Sequence, residues 1–203
     1  QVVELYNNLP LNRKSMLHQT PIVQPGQEIR PGDLLASSNF TDAKGTMAIG
    51  KNLYTAYIPF RSNYEDAVLI SKTAAKKLSS EHAYQHDLEW DDSIHRGKKA
   101  FISLFPSTYD RKTLDTLDDD GIIKPGTPIQ FGQPLILVAK ERERAHNQLS
   151  RSKAASVADQ TLTWEHHAPG VVTDVAKTKK GVVVTVKAVN EMQTGDKLSG
   201  RYG

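Results

Sequence analysis

A fourteen-residue pattern that occurs twice constrains the fold of this chain more than any other feature. Ile22-Val23-Gln24-Pro25-Gly26-Gln27-Glu28-Ile29-Arg30-Pro31-Gly32-Asp33-Leu34-Leu35 returns one hundred residues later as Ile122-Ile123-Lys124-Pro125-Gly126-Thr127-Pro128-Ile129-Gln130-Phe131-Gly132-Gln133-Pro134-Leu135. Pro-Gly suits a type II turn, because proline presets φ near −65° and glycine accepts the positive φ that follows. The second glycine closes a short excursion before the chain re-enters a strand. Units of this kind build small barrels with short strands and tight corners. Nothing in the pattern carries reactive chemistry, so its meaning is architectural.

The segments around the two copies are read as mostly β. Residues 52–58 (Asn-Leu-Tyr-Thr-Ala-Tyr-Ile) are rich in strand formers, and residues 67–70 (Ala-Val-Leu-Ile) read as a strand buried on both faces. Ser71 offers an N-cap hydroxyl to a helix over residues 72–78. Residues 82–90 read as a strand. Leu114 and Leu117 define a short helix that Asp118-Asp119-Asp120 ends and Gly121 caps. Residues 139–158 have few large apolar side chains and mixed charge, which fits either a mobile loop or a solvated helix. Residues 171–175 and 182–186, separated by Lys179-Lys180-Gly181, read as a hairpin.

Composition narrows the function classes. The 203 residues are enough for one large domain or two small ones, and no apolar run approaches the ~20 residues of a membrane helix. Cysteine is absent, so disulfides and thiolate metal sites are excluded. A net charge of +3 permits a nucleic-acid partner without requiring one.

Two short motifs far apart carry the functional signal: Asn63-Tyr64-Glu65-Asp66-Ala67, and Gly195-Asp196-Lys197 with Gly200-Arg201. They resemble the N-[FY]-E-D-[AS] and G-D-K-x-x-G-R-H-G-N-K-G segments of the second-largest (β) subunit of multisubunit RNA polymerases. Sequence between them is similar as well. Lys14 to Val23 resembles N-T-x-I-N-Q-x-P-I-V, Gly32-Asp33-Leu34-Leu35-Ala36 resembles G-D-V-L-A, and Leu117 to Ile123 resembles L-D-E-E-G-I-V.

The resemblance implies a mainly β fold with few short helices, a double-psi β-barrel carrying an inserted flap (wall) domain. Residues 1–78 would form the first part of the barrel region, 79–192 the flap, and 193–203 the return to the barrel. The chain would then be a fragment of a polymerase β subunit, or one piece of a split subunit. It would act in nucleotide addition only with other chains, because the aspartate triplet for the catalytic magnesium belongs to the β′-type largest subunit. Glu65 and Asp66 carry over as carboxylates near the incoming nucleotide and its magnesium, with Asp66 contacting the ion through water. Lys197 and Arg201 carry over as contacts to RNA phosphates, for which a point charge independent of base identity is suited. The implied partners are the β′-type chain, the remaining β pieces, template DNA, nascent RNA and nucleoside triphosphates.

The chain also departs from the family pattern. Tyr202 stands where a histidine is usual. Only residues 176–181 are available where bacterial enzymes carry a long flap-tip helix, so docking of a σ-type factor through that helix is not expected. The trimming resembles a viral (phage) polymerase, which implies the host cytoplasm or a virion.

Other groupings read more plainly as structure. His82 and His86 would share one strand face, a pair without a third ligand. Asp118, Asp119 and Asp120 suit a cation or a helix end. His166-His167 after Trp164 suits base stacking or an ordinary surface. A different class is a biotinyl- or lipoyl-like carrier module, suggested by Asp42-Ala43-Lys44, although Ala43 stands where that hairpin needs Asp or Met.

Overall fold

Turn chemistry and strand alternation produce the architecture, described by a computed structural model for residues 2–142 and 157–200. The chain is mainly β, with three short α-helices among the described residues, as the sequence predicts. It divides into two compact units, residues 1–82 with 189–203, and residues 83–188.

The first unit contains two small ladders. β1 (Leu9–Pro10) pairs with β2 (Met16–Leu17), and β3 (Gln19–Pro21) pairs with β4 (Ala36–Ser38), all antiparallel. Helix α1 (Lys72–Lys77) begins as predicted, with the Ser71 hydroxyl accepting from the Ala74 N–H at 3.1 Å. Met16 is the one fully buried large hydrophobic residue described in this unit.

The second unit has a core of its own. β5 (Ser80–Glu89) and β13 (Gly181–Asn190) are each divided between the two units. Their four-stranded sheet runs β5-β13-β12-β7, with β12 at Gly170–Lys177 and β7 at Pro128–Ile129. Alternation along β13 buries Val182, Val184, Val186 and Ala188 on one face. A bulge at Thr173 shifts the β12–β13 register and bends the sheet. The hairpin matches expectation, with Thr178, Lys179 and Lys180 between its strands.

Smaller ladders complete this core. β6 (Ile94–His95), β9 (Ala139–Glu141) and β10 (Val157–Asp159) form one sheet, and β8 (Pro134–Ile136) pairs with β11 (Leu162–Thr163). Helix α2 (Lys98–Leu104) buries Phe101. Helix α3 (Arg111–Asp115) is capped by Asp110, whose carboxylate accepts from the Thr113 N–H at 2.9 Å. The Lys98 ammonium satisfies the carbonyls of Leu114 and Leu117 at 3.1 Å each.

The repeated pattern forms the same turns in both copies. The N–H of Gln27 bonds the carbonyl of Gln24, and that of Thr127 bonds Lys124. Asp33 to Arg30 and Gln133 to Gln130 repeat the arrangement at the second glycine. Gly26, Gly32, Gly126 and Gly132 all take the positive φ that the pattern requires. Burial separates the copies: Ile22 and Ile29 are 47% and 54% exposed, whereas Ile122 and Ile129 are at 1% and 0%.

Several expectations are corrected. Residues 52–58 form no strand, and Tyr54 and Tyr57 are fully exposed. Residues 67–70 are likewise outside any ladder, with Val68 62% exposed rather than buried on both faces. Strand formers need a partner strand to pair with, and neither segment has one among the described residues. The short helix ends at Asp115, so Leu117 lies beyond it, bridged to Ile123. The segment 139–158 begins and ends in paired strands; residues 143–156 lie outside the described residues.

An ion pair joins β9 to the turn before β6. The Lys140 ammonium lies 2.8 Å from Asp91. That hydrogen bond, with a second from the Ser93 hydroxyl, depresses the Asp91 carboxyl to about 2. A depressed carboxyl keeps its partner above its ordinary pKa and loses it as pH falls through the lowered value. The pair should therefore persist until about pH 2. Lys140→Met is expected to move the Asp91 titration up toward 3.8, with Ser93 retaining part of the shift. A carboxyl-carbon NMR titration would read it, and an unmoved curve would rule out the Lys140 contribution.

Candidate functional site

The site forms where the chain leaves residues 53–58 and turns twice before α1. The side-chain amide of Asn63 accepts from the Phe60 N–H at 2.7 Å and donates to the Ile58 carbonyl at 2.7 Å. A second turn follows, closed by the Ala67 N–H on the Tyr64 carbonyl at 3.1 Å. Arg61 and Glu65 each adopt a left-handed backbone, with φ of 54° and 55°. Residues with a Cβ seldom do so outside functional or tightly held turns.

These turns border a groove of about 930 Å³. Residues 53–60 and 67–71 line it, with Asn63, Glu65, four residues at or just beyond α1 (Thr73, Ala74, Lys77, Leu78), and Leu198. Leu198 comes from the second motif. A turn closed by the Asp196 carboxylate, which accepts from the Gln193 N–H at 2.8 Å, leads into it, and Gly195 supplies φ of +96°. Just upstream, the Met192 N–H reaches the Ala75 carbonyl of α1 at 3.4 Å. Both motifs therefore border one concavity within one unit.

Glu65 lines the groove, while Asp66 and Lys197 are exposed residues beside it. Among the described residues, none of the three makes an ion pair within 4 Å. Arg201 lies outside the described residues. Glu65 and Asp66 are adjacent exposed carboxylates. No cluster of three metal-ligating side chains occurs among the described residues.

The other candidates resolve into structure. Asp118 and Asp120 hold a cation, but it is the Lys177 ammonium, at 2.7 Å and 2.6 Å. Desolvation pulls this lysine down, yet the two carboxylate hydrogen bonds outweigh it and its pKa is raised. His86 and His166 pack with Tyr84 around buried Trp164, so His166 is neither an ordinary surface residue nor free to stack on a base. His167 stacks on exposed Phe131 at 4.9 Å. Lys44 sits in a turn tied by the Asp42 carboxylate, which accepts from the N–H groups of Lys44 and Thr46. Sequence reasoning missed Asn63 and Lys177; the asparagine preceding Tyr-Glu-Asp was the one local sign available.

The β-rich scaffold and the pairing of these two motifs match one known class of domain. Residues 2–203 match the family model of RNA polymerase Rpb2, domain 6, and the chain belongs to that family. Its relatives include proteins named DNA-directed RNA polymerase subunit beta. That of Treponema pallidum is 31% identical over 95% of this chain and 18% of its own length. That of Rubrobacter xylanophilus is 30% identical over 95% and 19%, and that of Clostridioides difficile 30% over 98% and 18%. The chain thus spans less than a fifth of the relatives it matches. With this match running through Lys44, the carrier-module reading is not favoured.

Proposed function

We propose that the chain serves as part of the β subunit of a DNA-directed RNA polymerase, a nucleotidyltransferase active only in assembly. The observation that carries this reading is the shared groove, which Glu65 of one motif and Leu198 of the other both line. Glu65 and Asp66 would face the incoming nucleoside triphosphate and its magnesium, which a β′-type partner would mainly hold. Bound magnesium would neutralise charge on the phosphates; the carboxylates of this chain would orient its waters. Lys197 would hold the RNA 3′-end phosphates as a base-independent point charge, with Arg201 beside it. The inserted region 79–192 would border the RNA exit path as a flap. With three residues between β12 and β13, a σ-type factor would not be expected to dock there through a flap-tip helix. Such an enzyme would work in the cytoplasm, and the trimmed flap favours a phage-encoded one.

Two measurements test this. Co-purification should recover a larger chain bearing an aspartate-rich magnesium loop; recovery of no polymerase chain would sink the proposal. Within that assembly, Lys197→Ala is expected to slow addition of all four nucleotides by about tenfold, the worth of one charge-assisted hydrogen bond. Asp66→Ala should raise the magnesium midpoint. Wild-type kinetics for both variants would remove the site assignment.

A further inference from the structure

Of residues 61–69, Asn63 alone is half-buried and the others are exposed. Its amide spans Pro59, satisfying the Ile58 carbonyl before that proline and the Phe60 N–H after it. One side chain must donate and accept at once, from a short stem, to make this fork. Aspartate can only accept, and glutamine carries its amide one methylene further out. The fork also lies midway between the two left-handed residues, Arg61 two positions before it and Glu65 two after. Neither is glycine, so each conformation is sterically disfavoured unless its surroundings hold it.

We infer that Asn63 is the positioning residue of the acidic pair: by pinning the backbone from Ile58 to Phe60, it maintains the left-handed step that sets Glu65 against the groove and Asp66 beside it. This rests on the reading of Glu65 and Asp66 given above, and it adds a residue whose amide is engaged on both sides by backbone. The fork is the only side-chain hydrogen bonding described for residues 58–66. Without it, the two turns relax toward right-handed backbone, and the carboxylates no longer start from the productive geometry.

The test uses the assembled polymerase. Asn63→Ala is expected to lower the maximal rate of nucleotide addition by ~10- to 100-fold, as small misplacements of catalytic groups do. It should raise the magnesium midpoint in the direction of Asp66→Ala. The double variant should be hardly slower than Asp66→Ala alone, because both changes act through one group. Asn63→Asp keeps the acceptor for the Phe60 N–H and loses the donor, so it should fall between wild type and alanine; it decides the matter if the alanine variant does not assemble. Amide exchange at Phe60 should quicken in Asn63→Ala, a readout independent of activity. Wild-type rate and magnesium midpoint in both Asn63 variants, with Asp66→Ala impaired, would overturn this inference alone. A silent Asp66→Ala would overturn the functional reading, and this inference with it.

Discussion

Trp164→Ala is expected to destabilise the unit of residues 83–188 by about 3–5 kcal/mol, the range for deleting a large buried aromatic. Trp164 is 0% exposed and is the largest fully buried side chain described. Its ring meets Tyr84 edge-on at 5.3 Å, His86 at 5.7 Å and His166 at 4.7 Å. The indole N–H donates to the Ala168 carbonyl at 2.9 Å. Its backbone adds two bonds, one from the Gly132 N–H and one to the Gln133 carbonyl, which tie the second Pro-Gly unit to this core. Truncation leaves a cavity among rings that cannot close onto it, and strands an acceptor. Trp164→Phe should cost less, since it fills most of the space and forfeits only the hydrogen bond, worth about 1 kcal/mol. Guanidinium unfolding followed by far-ultraviolet circular dichroism measures both, and an unchanged midpoint for alanine would refute the assigned core.

Gly181→Val is the second large effect, expected at about 1–3 kcal/mol from overpacking. A Cβ at Gly181 would collide with the Leu88 carbonyl oxygen and press on the Glu89 Cα, both belonging to β5. Side chains can rotate away from such an intrusion, whereas a paired backbone cannot. The strands would have to part near the hairpin, where the Trp90 N–H bonds the Lys180 carbonyl at 2.8 Å. Thermal unfolding should show the loss, with quickened amide exchange at Trp90. Wild-type exchange there would argue against the predicted clash.

How much the sequence revealed depended on how far each interaction reaches. Ser71 capped α1 and the Pro-Gly pairs turned as read, because both are settled within four residues. The β12–β13 hairpin was equally legible, since its alternation and turn are contiguous. Residues 52–58 were misread because strand propensity reports fitness for a ladder, and a ladder requires a second strand. Trp164 was hidden by its polar neighbours Thr163, Glu165, His166 and His167, which give a core side chain no periodicity. The Lys177 clamp joins residues more than fifty positions apart, so no local pattern could announce it. At the candidate site, the acidic pair was found through motif likeness, whereas the Asn63 fork acts on backbone and leaves no periodic trace.

The twin turns have a consequence for how such a chain can change over time. Each closes on a backbone bond of its own, and in three of the four a side chain adds a second: Gln24, Arg30 and Gln130 donate their N–H groups to the side chains of Gln27, Asp33 and Gln133. A bend closed by its own backbone bond holds its shape in the exposed copy and beneath a core in the buried one. Flanking strands are thus free to drift in composition without altering where the polypeptide reverses.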